Sequence, residues 1–146
     1  MKSFVTLLPF TDHKYLDEII NGVWITMEDS TWCMPWHLQY QGTSDHLPLP
    51  DRHAIDLEAG ETTKMMAWIK LLLHEDFDHV SKVINKRIDS EFKRRIFDAF
   101  LHRDFSWEGF HNHFVNNWNI WCNGNILKAA VYTLDDEKTF EKVSGT

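Results

Sequence analysis

The strongest constraint on the fold is a helical apolar period that begins at Glu61. From there, apolar side chains recur every three or four positions, as on one face of an α-helix. The period divides into three stripes: Met65, Ile69, Leu72 and Leu73; then Val80, Val83, Ile84 and Ile88; then Phe92, Ile96 and Phe100. We expect one helix from each stripe, with Asp89 and Ser90 placed to cap the third.

The N-terminal part follows a different pattern. Residues 3–10 and 22–29 are rich in β-branched and aromatic side chains and predict two strands, with a short helix between them that ends at Gly22. Residues 30–60 contain three prolines and predict a long connection with one strand at 37–41. The predicted fold class is therefore α+β: a small N-terminal β element with a short helix, a long Pro-containing connection, and a helical C-terminal half of four or more helices.

Length and cysteine content set the broad class. A chain of 146 residues predicts one globular domain spanning residues 1–146. Cys33 and Cys122 are too far apart in sequence for a disulfide framework or a zinc knuckle, which favours a reducing compartment. No apolar run is long enough to cross a membrane or serve as a signal peptide, so we expect a soluble, cytoplasmic protein.

The net charge of −7 is distributed unevenly. Residues 1–61 hold three basic and ten acidic side chains, whereas residues 62–103 hold nine basic and six acidic ones. The acidic N-terminal part repels nucleic acid and can steer a basic protein partner. Lys93, Arg94 and Arg95 could contact phosphate groups, but interleaved acidic residues favour a solvated helix face, so nucleic acid is not the expected partner.

Residues 102–122 are unusual because three histidines and six large aromatic side chains fall within them. Ser106 is suited to begin a helix and Gly124 to follow its end, which predicts a fourth helix. In that helix Phe110, Phe114, Trp118 and Trp121 would form an apolar stripe.

The same residues raise the possibility of a metal site. Glu108 and His111 have the spacing that places a carboxylate and an imidazole on one helix face, as in di-iron bundles, and Asp76 and His79 repeat it. One hypothesis is therefore a metal-dependent enzyme that binds a divalent metal through Glu108, His111 and His79. Against it, nothing in the sequence selects the further carboxylates that such a site requires.

No other catalytic set is recognisable. Cys33 and Cys122 lack the basic neighbours that would lower a thiol pKa, and the six glycines form no phosphate-binding loop. No catalytic residue and no cofactor are assigned from the sequence, which favours a binding protein over an enzyme.

Aromatic and amide side chains suggest a binding surface. Seven tryptophans are more than a core of this size normally holds, and tryptophan is favoured at protein interfaces. Asparagine is a poor helix former, so several asparagines on one predicted helix indicate a surface used for hydrogen bonding. The candidate partner-binding residues are Trp32, Trp36, Asn112, Asn116 and Asn119. The favoured function is a small acidic binding protein that inhibits or neutralises a protein partner, as immunity proteins and phage counter-defence proteins do; the oligomeric state stays open.

Overall fold

A computed structural model describes residues 14–44, 46–110, 113–135 and 137–145. The α-helices in these ranges are α1 (Leu16–Glu28), α2 (Leu57–Val80), α3 (Lys82–Phe92), α4 (Asp98–His102), α5 (Asn117–Thr133) and α6 (Glu137–Ser144). A π-helical turn, Lys93–Phe97, joins α3 to α4, and two 3₁₀ helices occupy Pro35–Gln41 and Ser106–Glu108. All regular structure in the described part of the chain is helical, so the predicted α+β fold is wrong.

The strand predicted at residues 22–29 is part of α1. Ile19, Val23 and Met27 follow one another at intervals of four, and none is exposed to solvent. This helical stripe outweighs the β-branched composition, and the helix continues through Gly22 instead of ending there. The other strand predicted in this part, residues 3–10, lies outside the described residues.

The long connection between α1 and α2 is ordered by one buried aspartate. Asp56 caps α2, since its Oδ1 accepts a hydrogen bond from the Ala59 N–H (2.9 Å). Its Oδ2 lies 2.7 Å from Nδ1 of His37 and accepts a hydrogen bond from the Met34 N–H (3.0 Å). Residues 37–41, predicted as a strand, form a 3₁₀ helix that starts at Pro35, where the fixed φ of proline favours a helical turn.

The helical structure predicted from the three stripes between Met65 and Phe100 is confirmed, but the helix start at Asp89 and Ser90 is wrong. Ser81 separates α2 from α3, with its Oγ accepting from the Val83 N–H (3.3 Å). No helix starts at Asp89 or Ser90, because the chain continues from α3 through the π-helical turn into α4. A π-helical turn inserts one extra residue and rotates the side chains that follow it.

The fourth predicted helix, from Ser106 to Gly124, is also wrong. The 3₁₀ helix ends at Gly109, whose φ of +86° is left-handed, and α5 begins only after Asn116. Asn116 caps α5 by accepting a hydrogen bond from the Trp118 N–H at 2.9 Å. Gly124 lies inside α5, and α6 follows it along the chain.

The centre of the core lies between α2 and α5. The N-terminal ends of these helices lie side by side, so that a Cβ on Gly60 would lie 3.6 Å from the Cα of Cys122. The Asn125 side chain donates a hydrogen bond to Glu61 across this contact (3.1 Å). None of the helices in the described ranges has the length and apolar character needed to cross a bilayer.

A buried ionic network fixes α1 and the connection against α3. Glu91 is 3% exposed, and its carboxylate accepts hydrogen bonds from the guanidinium groups of Arg87, Arg94 and Arg95. Burial alone would raise the pKa of Glu91, but the three arginine hydrogen bonds outweigh it and hold that pKa below its ordinary value. Arg95 itself is buried, which corrects the expectation that residues 93–95 form a solvated face.

Glu91→Gln should destabilise the protein by about 3 kcal/mol, because it leaves the buried guanidinium of Arg95 without its counter-ion. Asp98→Asn is the matched control, since Asp98 pairs with Lys93 at an exposed position. Surface pairs contribute below about 1 kcal/mol, so the control should change little. Urea denaturation measures both free energies of unfolding; similar losses in the two variants would show that the Glu91 network is not the stronger constraint.

His53 should make the fold acid-sensitive. Burial, with help from the charges of Arg94 and Arg95, lowers the pKa of His53 from its ordinary 6.5 to about 4. Between these values the unfolded chain binds a proton that the folded chain does not, so the free energy of unfolding falls as the pH falls. We expect His53 to account for about 3 kcal/mol of loss between pH 7 and pH 4. His53→Gln should flatten the pH dependence of urea denaturation over this interval, and an unchanged slope would contradict the assignment.

Candidate functional site

The most unusual surface of the molecule follows Gly109. Five large apolar side chains between residues 110 and 121 are at least half exposed, from 51% for Trp121 to 76% for Ile120. We call this set the apolar ridge; its members are Phe110, Phe114, Val115, Ile120 and Trp121. Residues 109–127 contain no Asp, Glu, Lys or Arg at all. Depletion of charged residues together with exposed aromatic side chains is typical of the centre of a protein interface.

The turn at Gly109 separates buried from exposed aromatic residues. Before it, Phe105 and Trp107 stack with ring centroids 5.4 Å apart, and the Trp107 indole donates a hydrogen bond to the Ile55 carbonyl (2.9 Å). After it, the chain folds back, and the His113 N–H donates to the Gly109 carbonyl at 3.0 Å. The side chains of Phe105 and Trp107 belong to the core, whereas those that follow the turn reach the surface.

The asparagines of this region hold the turn in place. Asn119 donates a hydrogen bond to the Glu108 carbonyl (2.9 Å) and thereby joins α5 to the 3₁₀ helix before it. Asn123 in turn donates to the Oδ1 of Asn119 at 3.3 Å, and Asn116 caps α5. Asn116 and Asn119, predicted as partner-binding residues, therefore use side-chain atoms within the chain, and Asn112 lies outside the described residues.

The two tryptophans predicted to bind a partner differ in position. Trp32 is 6% exposed, and its indole donates a hydrogen bond to the Thr26 carbonyl (2.8 Å) while Arg95 lies over its ring. Trp36 is 68% exposed on the 3₁₀ helix of the connection. Of the two, Trp36 is the one that a partner could reach without rearrangement of the core.

The predicted metal ligands are not brought together among the described residues. His111 lies outside them. His79 is exposed, with its Nδ1 2.7 Å from the Glu75 carbonyl, and Glu108 is buried, with its carboxylate accepting from the Phe105 N–H at 2.6 Å. Within the described ranges, no three His, Cys, Asp or Glu side chains are grouped closely enough to hold a metal ion.

Sequence reasoning missed a histidine–carboxylate pair. His37 and Asp56 lie 19 residues apart, and the His37 ring also packs against Trp118 at 4.9 Å between centroids. The position of Asp56 just before an amphipathic helix was a capping signal that could have identified it. A buried carboxylate orients an imidazole, but the neighbouring thiol is not activated, because burial and the charge of Asp56 raise the pKa of Cys33. Burial likewise raises the pKa of Cys122 to about 12.

A groove of about 650 Å³ adjoins the apolar ridge. It lies between the end of α4, the 3₁₀ helix Ser106–Glu108, α5 and α6, and Phe110 lines it as well as belonging to the ridge. Its volume falls within the range of small-ligand sites. Of the candidate site residues named from the sequence, Glu108 lines this groove. Burial raises the pKa of its carboxyl group, and the charge of Asp104 acts in the same direction. The hydrogen bond from the Phe105 N–H opposes this shift.

The comparisons with known proteins give one result. The chain matches none of the protein-family models and none of the curated protein sequences with which it was compared.

The turn that forms the ridge can be tested with two glycine substitutions. Gly109→Ala should destabilise the protein by about 1–2 kcal/mol, because a left-handed residue gains a Cβ that would lie 3.1 Å from the Phe114 carbonyl oxygen. Gly124→Ala should instead stabilise it by up to about 1 kcal/mol, since that residue is helical and its Cβ would meet nothing within 4 Å. Thermal denaturation of both variants measures the direction of each change in stability. Stabilisation by Gly109→Ala would contradict the geometry of the turn.

Proposed function

We propose that this chain is a small binding protein that acts by occupying a protein partner, as an inhibitor or a neutralising protein does. The observation that carries the proposal is the apolar ridge. Its five side chains follow one another within twelve residues of sequence, on a segment that holds no Asp, Glu, Lys or Arg. When a partner removes exposed apolar area of this kind from water, the burial stabilises the complex.

The composition of the ridge fits the centre of an interface. Trp121 and two phenylalanines supply large aromatic side chains, which dominate the binding energy of many interfaces. The left-handed Gly109 and the Asn116 cap define the described backbone on either side of the ridge, and Ile120 and Trp121 lie on the capped helix α5. Little ordering entropy is then lost on association.

The net charge of −7 adds a preference for a basic partner. A net negative charge accelerates the encounter with a basic protein and suppresses encounters with acidic ones. An immunity-type or phage counter-defence-type inhibitor matches this combination, because such proteins act by covering a target.

The proposal is tested by affinity capture from the native host with three forms of the protein. The ridge variant carries Val115→Ser, Ile120→Ser and Trp121→Ser, and the control carries Ile25→Ser, Leu71→Ser and Leu72→Ser, which alter apolar side chains of similar exposure on α1 and α2. We expect the wild type and the control to retain the same protein at a 1:1 ratio. The ridge variant should bind it at least tenfold more weakly, because its interface centre has lost its apolar side chains.

Two further measurements make the test decisive. The captured protein should lose its own activity as the wild-type chain is titrated to one equivalent, and the association rate should fall as salt is added. The proposal is wrong if the wild type retains no stoichiometric partner, or if the ridge variant and the wild type bind equally well.

A further inference from the structure

The groove beside the ridge has a lining that combines an aliphatic wall with oxygen acceptors. Leu101, Ile126 and Leu127 contribute apolar side chains, and Gly124 lies among them without a side chain of its own. Glu108, Asp104 and Asn123 contribute oxygen atoms. A ligand that fits this lining has an apolar chain and a group that donates hydrogen bonds.

Glu108 is short of positive charge. Glu108 is 7% exposed, and the Phe105 N–H is the one hydrogen-bond donor to its carboxylate among the described residues. The charged neighbour that affects it is Asp104, which has the same sign. A buried carboxylate in this setting gains most from a cation that enters with a ligand.

A second oxygen, on a residue that lines the groove, lacks a partner. Oδ1 of Asn123 is buried and accepts no hydrogen bond in the described part of the chain, while Nδ2 of the same side chain donates a hydrogen bond to Asn119. The basic residues of the lining donate no hydrogen bond to Glu108 or to Oδ1 of Asn123 among the described residues. Arg103 donates its guanidinium hydrogen bonds to the carbonyls of His53 and Tyr40, and Nδ1 of His102 lies 2.9 Å from the Asp98 carbonyl oxygen. Lys142 is an exposed residue of α6.

We infer that the groove binds an ammonium or guanidinium group carried on an aliphatic chain, with Glu108 receiving the cation and the wall around Gly124 receiving the chain. An anion is disfavoured because the acceptor oxygens repel it. A bare metal ion is disfavoured because the described residues provide no set of three ligands, and because about 650 Å³ exceeds the space that one ion fills. The same group can come from a lysine or arginine side chain of a protein or from a free amine.

The test uses defined probes and isothermal titration calorimetry. N-acetyl-arginine N-methylamide should bind saturably, and its neutral citrulline analogue should bind at least tenfold more weakly, because only the first carries a cation. Agmatine represents a free amine, and a blocked Ala-Arg-Ala peptide represents a protein side chain. A tenfold preference for the peptide assigns the site to a protein side chain, and equal or tighter binding of agmatine assigns it to a free amine.

Three variants locate the site. Glu108→Gln keeps an oxygen that can accept from the Phe105 N–H but removes the charge, and should weaken the arginine probe at least tenfold. Glu75→Gln makes the same change at an exposed position of α2 and should leave binding unchanged. Gly124→Leu places a side chain in the groove, where the added Cβ itself meets no atom within 4 Å, and should also weaken binding at least tenfold.

Several results overturn the inference. These are the absence of saturable binding by any cationic probe, equal binding of the citrulline analogue, displacement of the arginine probe by equimolar CaCl2 or MgCl2, and full binding by Gly124→Leu. If Glu108→Gln does not fold by circular dichroism, the citrulline comparison and Gly124→Leu still decide. None of these measurements uses the ridge variant or a partner protein, so the inference and the proposed function can fail separately.

Discussion

The N-terminal half of the molecule depends on one buried carboxylate. Glu91 accepts hydrogen bonds from three arginines, and two of these reach further: Arg95 to the carbonyls of Met27 and Asp29, Arg94 to the carbonyl of Pro50. The carbonyls at the C-terminal end of α1 carry partial negative charge, so they complement a guanidinium that Glu91 alone would not neutralise. Residues on α1, on the connection and on α3 are thereby fixed to a single point, and the π-helical turn supplies the rotation that presents Arg94 and Arg95 to it.

Side chains from within the connection between α1 and α2, and one from the end of α4, bind the backbone of this connection. Arg103, at the end of α4, donates to the carbonyls of Tyr40 and His53, and Asp56 accepts from Met34. Charged donors make stronger hydrogen bonds than neutral ones, which lets a segment with little regular structure stay ordered. This arrangement also positions the groove, because Arg103 is the residue from which the chain turns into the 3₁₀ helix that carries Glu108.

The helices that a sequence predicts well here are those with a single buried face. Ile69 and Leu73 on α2 and Ile84 and Ile88 on α3 belong to such faces, although Leu72, Val80 and Val83 of the predicted stripes are exposed. Ile19, Val23 and Met27 form a buried face on α1, but the β-branched residues around them predicted a strand instead. The failures lie where side-chain hydrogen bonds override the period. Asn116 and Gly109 stop a helix that the aromatic spacing favours, and Glu91 draws Arg95 into the core although a run of basic residues normally stays solvated. Asn119 was predicted to bind a partner because of its residue type, but its bond to the Glu108 carbonyl depends on a turn that no local pattern reveals.

The ridge and the groove share a single structural origin, and this links their functions. Both begin at the turn after Glu108, and Phe110 contributes to both. Under the two proposals, a partner that covers the ridge would also meet the wall of the groove at Phe110, and a cation at Glu108 would alter the surface that the partner contacts. Two ligands that share a residue are coupled, and the coupling acts equally in both directions. A partner that satisfied both proposals would present an apolar surface next to a basic side chain, the one complementary to the ridge and the other to Glu108.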